Sequence, residues 1–169
     1  LRRQRQMCIR DSLYNKDKKD SLNVYDSPNK SPFAKNVTLF SGAGGLLSTT
    51  YDYLTFCQML LNGGEFNGER IIEASTIKLM LEDHADGLKY KALVFGKKKG
   101  FGLGFQTVKE ENTKFGSKGT YGWGGMFGTY FRIDPKENMI FIYMTQSFET
   151  YKLKLADKFR GLVYDSLLK

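Results

Sequence analysis

The sequence predicts an α+β fold in which helices come first, antiparallel strands follow and a helix closes the chain. Three observations carry this. An apolar stripe at helical spacing runs over 50–62, short aromatic and glycine-rich runs broken by turn residues fill 101–145, and a second helical stripe occupies 149–168.

Residues 1–12 (LRRQRQMCIRDS) read as a non-native or disordered leader. They lack the apolar centre and small-residue cleavage site of a signal peptide. Residues 13–169 form the expected structural unit. Within it, 14–36 is polar and turn-rich, and Pro28 and Pro32 exclude a helix. A loop of that length in a small domain tends to serve a function or cross a surface. Ser41 to Leu47 (SGAGGLL) carries three glycines in four positions, so its backbone turns tightly or approaches something closely.

The first helix, about 50–62, places Tyr53, Leu54, Cys57, Leu60 and Leu61 on one stripe. Thr49 and Asp52 stand at capping-box spacing at its start, and Asn62-Gly63-Gly64 ends it. Asn67-Gly68 between Glu65-Phe66 and Glu69 to Ile72 signals a short hairpin. A second helix, about 75–83, is expected with Ser75 as its N-cap and Ile77, Met80 and Leu81 inward. A basic loop from Gly96 to Gly100 leads into Phe101 to Phe105 and a strand at 106–108. Strands follow at 120–126 and 128–134, and Asp134 to Asn138 turns into a nearly all-apolar strand, Met139 to Thr145, suited to cover on both faces. The chain closes with a helix, about 149–168, carrying Leu153, Leu155, Phe159, Leu162, Val163 and Leu167.

Composition narrows the chemistry. The net charge of +8 falls to +5 once the four arginines and one aspartate of 1–12 are set aside, and the remaining lysines are dispersed. That pattern argues for solvated surface and no nucleic-acid partner. No apolar run is long enough to span a membrane. Two cysteines (Cys8 and Cys57) and one histidine exclude a disulfide scaffold and the usual zinc sites, so no metal and no cofactor are expected. Any Ser-His-Asp triad would have to run through His84, whose context Glu82-Asp83-His84-Ala85 reads as exposed surface at a helix end. Cys57 reads as a small buried hydrophobe. Glu110-Glu111 has no second acid placed to make a glycosidase couple.

The most informative stretch is Gly119 to Phe131 (GTYGWGGMFGTYF), with five glycines at or between strands. Each weakens a sheet unless something must approach its backbone. An oxyanion hole, where an acyl oxygen comes within about 3 Å of a main-chain N–H, is one such need. A bulged, tightly packed strand corner with aromatic filling is the other.

Four segments in order give this chain a resemblance to the C-terminal half of the β-lactamase-related serine hydrolases, the group of class C β-lactamases, family VIII esterases and DD-peptidase-like proteins. They are Ser41 to Thr49, Phe56 to Gly64, Gly100 to Phe105 and Tyr121 to Pro135. The resemblance implies the C-terminal part of the serine β-lactamase and penicillin-binding-protein fold, with the N-terminal portion outside this sequence. It also implies nucleophilic acyl transfer through a Ser-x-x-Lys motif, a tyrosine motif and a third motif on a strand. Trp123-Gly124-Gly125 matches the third motif, so these three residues would line the substrate cleft and the Met126 N–H would supply half of the oxyanion hole. The partner implied is a small-molecule or peptide-like acyl substrate: an ester, amide or β-lactam.

Because the third motif lacks the lysine and threonine of Lys-Thr-Gly, an ester or peptide-like substrate fits better than a β-lactam carboxylate. Ser27-Pro28-Asn29-Lys30 and Ser75-Thr76-Ile77-Lys78 match Ser-x-x-Lys only as text, and Tyr25-Asp26-Ser27 mimics a tyrosine motif in the wrong segment. The nucleophile, its lysine and its tyrosine are therefore expected upstream of residue 13, and the chain alone is expected to be inactive. A non-catalytic relative would carry the same third motif as a binding module for peptide or cell-wall ligands.

Overall fold

The computed structural model describes residues 12–27, 29–31, 48–88, 98–111 and 116–167. The Ser41 to Leu47 segment, Gly96 and Lys97 of the Gly96–Gly100 loop, Pro28 and Pro32 lie outside the described residues. The element order is β1 (Leu13–Lys16), β2 (Leu22–Asp26), α1 (Thr50–Leu61), β3 (Glu65–Phe66), β4 (Glu69–Arg70), α2 (Ala74–Leu81), β5 (Lys99–Phe101), β6 (Gln106–Val108), β7 (Tyr121–Gly124), β8 (Tyr130–Asp134), β9 (Met139–Tyr143), α3 (Glu149–Leu153) and α4 (Leu155–Leu167). Strands β5 to β9 make one antiparallel sheet in sequence order, and the two hairpins β1–β2 and β3–β4 are separate. This is the predicted α+β arrangement, except that Lys99 and Gly100, expected in a loop, pair with Val108 and Thr107 as part of β5.

Period-two alternation assigns the faces of the sheet. Tyr121, Phe131 and Ile133 join Cys57 and Leu60 of α1, Ile77 of α2 and Phe105 in one buried cluster, with Ile140 and Ile142 packed against it. The intervening residues meet α4. Phe141 and Tyr143 contact Phe159, with ring centroids 5.2 and 6.0 Å apart, and the Tyr164 hydroxyl donates to Asp134 Oδ2 at 2.6 Å. The apolar run of β9 is thus covered on both faces, as its composition predicts, although it lies at one edge of the five strands.

The first helix follows its sequence signals closely. The Thr49 hydroxyl accepts from the Asp52 N–H at 3.1 Å and itself donates to the Asp52 carboxylate at 2.9 Å. At the other end the Gly63 N–H donates to Leu60 O and the Gly64 N–H to Met59 O, the paired bonds of a Schellman cap. Leu54, expected inward, is instead exposed. Asn67 and Gly68 both take positive φ and close the β3–β4 hairpin as predicted.

Three expectations are corrected. Residues 13–26 form the β1–β2 hairpin, not loop. The Asp17 carboxylate accepts from the Lys19 and Ser21 N–H groups and builds the turn, while the β-forming Tyr14, Val24 and Tyr25 lie hidden in polar composition. Helix α2 begins at Ala74 with Glu73 at the N-cap and no side-chain cap bond, so Ser75 sits inside the first turn. The closing helix is two helices separated at Lys154, which has φ +51°. Its inward face carries Arg160 and Tyr164, whereas Leu153, Phe159, Leu162 and Leu167 are exposed.

Asp134 anchors the α4 face. Burial penalises its carboxylate, but bonds from Tyr164 and from the Ser117 and Glu137 N–H groups outweigh this and hold its pKa below the usual range. A folded-state pKa below the unfolded one means that this stabilisation is complete above the unfolded value of about 3.9 and is lost as pH falls through the folded value. Tyr164→Phe is expected to lower stability by about 1.5–3 kcal/mol at pH 7. In urea denaturation the deficit should shrink as pH is taken down through the Asp134 titration; a deficit unchanged at pH 2 would contradict this account.

Candidate active-site turn

Trp123 and Gly124 end β7 in register with Phe131 and Tyr130 of β8. The hairpin closes through two main-chain bonds: the Gly125 N–H donates to Thr129 O at 2.8 Å and the Gly128 N–H to Gly125 O at 3.0 Å. Gly125 to Gly128 is therefore a β-turn with Met126 in its second position, whose N–H the turn does not need. Among the described residues the Met126 N–H has no hydrogen-bond partner, and its side chain is 67% exposed. The arrangement offers a main-chain donor, left over by a closed turn, on an exposed residue at the end of a hairpin.

The tryptophan of the motif sits against apolar neighbours. Trp123 is 40% exposed and packs edge-on against Phe101, with centroids 4.9 Å apart, and Leu103 beyond it is exposed. The N–H of Leu103 donates to Met80 O, which ties this rim to the end of α2.

Gly122 explains how β7 is held. It lies between Gln106 of β6 and Arg132 of β8 in register. With no side chain between them, the buried Arg132 guanidinium reaches across β7 to Gln106 Oε1 at 2.7 Å and stacks over the Tyr130 ring at 4.4 Å. A Cβ at Gly122 would also run into the Phe131 carbonyl, and its φ of +154° disfavours other residues.

The other residues singled out from the sequence lie elsewhere. Ser75 and Lys78 are exposed on α2. Ser27 and Lys30 share a backbone turn, Lys30 N–H to Ser27 O at 3.0 Å, with the lysine exposed. The exposed His84 places Nε2 2.8 Å from Leu79 O at the end of α2. Cys57 is fully buried, and burial pushes its thiol up to about 12, so it stays protonated. Glu110 and Glu111 pair with Lys98 and Lys136 on the surface. Among the described residues no group of three or more His, Cys, Asp or Glu converges on a point that could hold a metal, and no helix is long and apolar enough to cross a membrane.

Sequence reasoning missed the support behind the turn. The Phe127 ring meets Phe148 edge-on at 5.1 Å, and Phe148 meets Tyr25 at 5.2 Å. Tyr25 thus links the β1–β2 hairpin to the turn through two aromatic contacts. The aromatic spacing is non-local and leaves no trace in any single window of sequence.

A five-stranded antiparallel sheet between helices, with a glycine-rich turn presenting a main-chain donor, is the frame of a β-lactamase-fold protein. The profile described as Beta-lactamase matches residues 7–164, and the chain belongs to that family. An uncharacterised protein of Mycobacterium tuberculosis is 30% identical over 146 residues, covering 80% of this chain and 35% of the relative. A mutant of simvastatin synthase, LovD, from Aspergillus terreus superposes with a TM-score of 0.72 at 17% identity, over 92% of this chain and 42% of that one. EstCE1, a hydrolase with promiscuous acyltransferase activity, gives 0.68 at 20% identity, over 89% and 42%. These solved structures share the fold, and the chain spans well under half of each.

Gly122→Ala is expected to destabilise the chain by about 2–4 kcal/mol, since it adds a clash with β8 to a disfavoured φ. Arg132→Met should show the part due to the guanidinium contacts with Gln106 and Tyr130. Urea denaturation of both variants checks the ranking, and a smaller loss for Gly122→Ala than for Arg132→Met would reverse it.

Proposed function

We propose that this chain supplies the third motif and one cleft wall of a serine hydrolase that works through an acyl-enzyme. Trp123, Gly124 and Gly125 line the substrate cleft, and the Met126 N–H is one of two oxyanion donors. The nucleophilic serine with its lysine one helical turn on, and the tyrosine that assists them, belong to a segment N-terminal to Leu13. The second oxyanion donor is the N–H of that serine. The observation that carries this reading is the Met126 N–H directly after Trp-Gly-Gly, without a hydrogen-bond partner among the described residues, in a chain of the β-lactamase family.

The chemistry follows from the geometry. As the serine oxygen attacks an acyl carbon, negative charge builds on the carbonyl oxygen. A donor already fixed by a closed turn stabilises that charge without reorganising. Loss of the alcohol or amine leaves the acyl-enzyme, which water then hydrolyses. A tryptophan in place of a lysine at position 123 gives the cleft an aromatic wall with no cation in the motif, which favours ester or peptide-like acyl groups over a β-lactam carboxylate. The fold shared with an acyltransferring hydrolase supports the same class of reaction.

The isolated 169-residue chain should not hydrolyse p-nitrophenyl acetate above the buffer rate, because an oxyanion donor without a nucleophile gains little. Turnover that persists in Trp123→Ala and Ser75→Ala would overturn the roles assigned. In the full-length protein, Met126→Pro removes the N–H together with an exposed side chain, at a turn position where proline is well tolerated. It should lower kcat by about 10²–10³-fold with little change in KM.

A further inference from the structure

We infer that Thr145 is a positioning residue for the oxyanion turn, holding the Phe127–Gly128 peptide so that the neighbouring Met126 N–H keeps its direction. This rests on the hydrolase reading for its purpose, and on hydrogen bonds outside the motif for its substance.

Phe127 is the third residue of the turn, and its carbonyl is bonded from behind twice. The Thr145 hydroxyl donates to it at 3.1 Å and the Ser147 N–H at 3.0 Å. A hydroxyl has one proton, and that of Thr145 is committed to Phe127 O. In its contact with Thr150, Oγ1 to Oγ1 at 2.9 Å, Thr150 must therefore be the donor. A short relay results, from the buried Thr150 at the start of α3 through Thr145 to the turn carbonyl.

The turn is also filled from this side. A Cβ on Gly128 would collide with Thr145 Oγ1 and come within 2.6 Å of Thr150 Cβ. The Phe127 ring is held against Phe148, whose N–H donates to Tyr14 O in β1 at 3.3 Å. The peptide between Phe127 and Gly128 is thus fixed by two donors, a ring contact and close packing. The Gly128 N–H of that peptide donates in turn to Gly125 O, the carbonyl of the same peptide unit that carries the Met126 N–H, so rotation of the fixed peptide would re-aim that N–H.

Thr145→Val keeps the shape of the side chain and removes the donor; Thr145→Ser keeps the donor and removes a methyl group. In 15N-labelled full chain, Thr145→Val should move the Met126 amide resonance and speed exchange of the Gly125 and Gly128 amides about tenfold, with the Ile133 amide unchanged. Thr145→Ser should return all three to their parent values. A merely structural threonine would lower the melting temperature in both variants without a selective change at the turn.

If Thr145→Val does not fold, Thr150→Val is read the same way: it leaves the bond to Phe127 O in place but releases the hydroxyl that orients it, so Met126 should shift less but in the same direction. An unmoved Met126 resonance in the folded variant overturns the clamp and leaves the hydrolase reading intact. A moved resonance, together with a full-length protein whose kcat is indifferent to Met126→Pro, overturns the hydrolase reading and leaves the clamp.

Discussion

The hydrogen bond from the Gly125 N–H to Thr129 O is the constraint on which the rest of the site depends. It closes the β7–β8 hairpin one residue beyond Trp123-Gly124 and forces Met126 into the turn position whose N–H has no internal partner. Moving the closure by one residue would bury that donor in the ladder and turn Trp123 to the opposite face of the sheet. Antiparallel register along all four residues of β7 then transmits this placement into the centre of the sheet.

The two faces of the sheet hold that register by different means. Toward α1 and α2 the contact is apolar, with Cys57, Leu60, Ile77, Phe105, Tyr121, Phe131 and Ile133 in one cluster. Toward α4 it is polar and directional: Tyr164 on Asp134, Arg160 on the Tyr130 hydroxyl and on Asp157, Arg132 on Gln106. The apolar face supplies most of the driving force for burial. The polar face fixes β6, β7 and β8 relative to one another, because its bonds fail if a strand slips. Behind the turn, Thr145, Ser147 and Phe148 extend the same logic to the hairpin end.

Much of this was legible in the sequence because it is local. The Thr49–Asp52 cap, the glycine stop after α1, the Asn67-Gly68 hairpin and four of the five strands of the main sheet, β6 to β9, each leave a signature within a few residues, whereas β5 hides in a lysine-rich stretch that reads as loop. The glycine-rich stretch around Trp123 likewise announces the β7–β8 turn by its composition. What the sequence did not reveal depends on distant partners. The β1–β2 hairpin is built by an Asx turn within a polar stretch. The inward face of α4 is Arg160 and Tyr164 because β8 offers Tyr130 and Asp134 across 30 residues of chain, a pairing that a hydrophobic stripe cannot foresee. The same holds for Thr145, an unremarkable polar residue at the end of a strand until Phe127 is seen beside it.

The measurement that bears most directly on the account is the coding sequence upstream of Leu13 in the source DNA. An in-frame Ser-x-x-Lys at the head of an apolar helix, followed by a tyrosine motif of the Tyr-x-Asn kind, is the result expected. It would supply the nucleophile that the roles proposed for the Met126 N–H and Trp123 require. A continuous frame that reaches the family's full length without either motif would contradict the acyl-enzyme account, and would leave the turn as part of a fold that binds its ligand without chemistry.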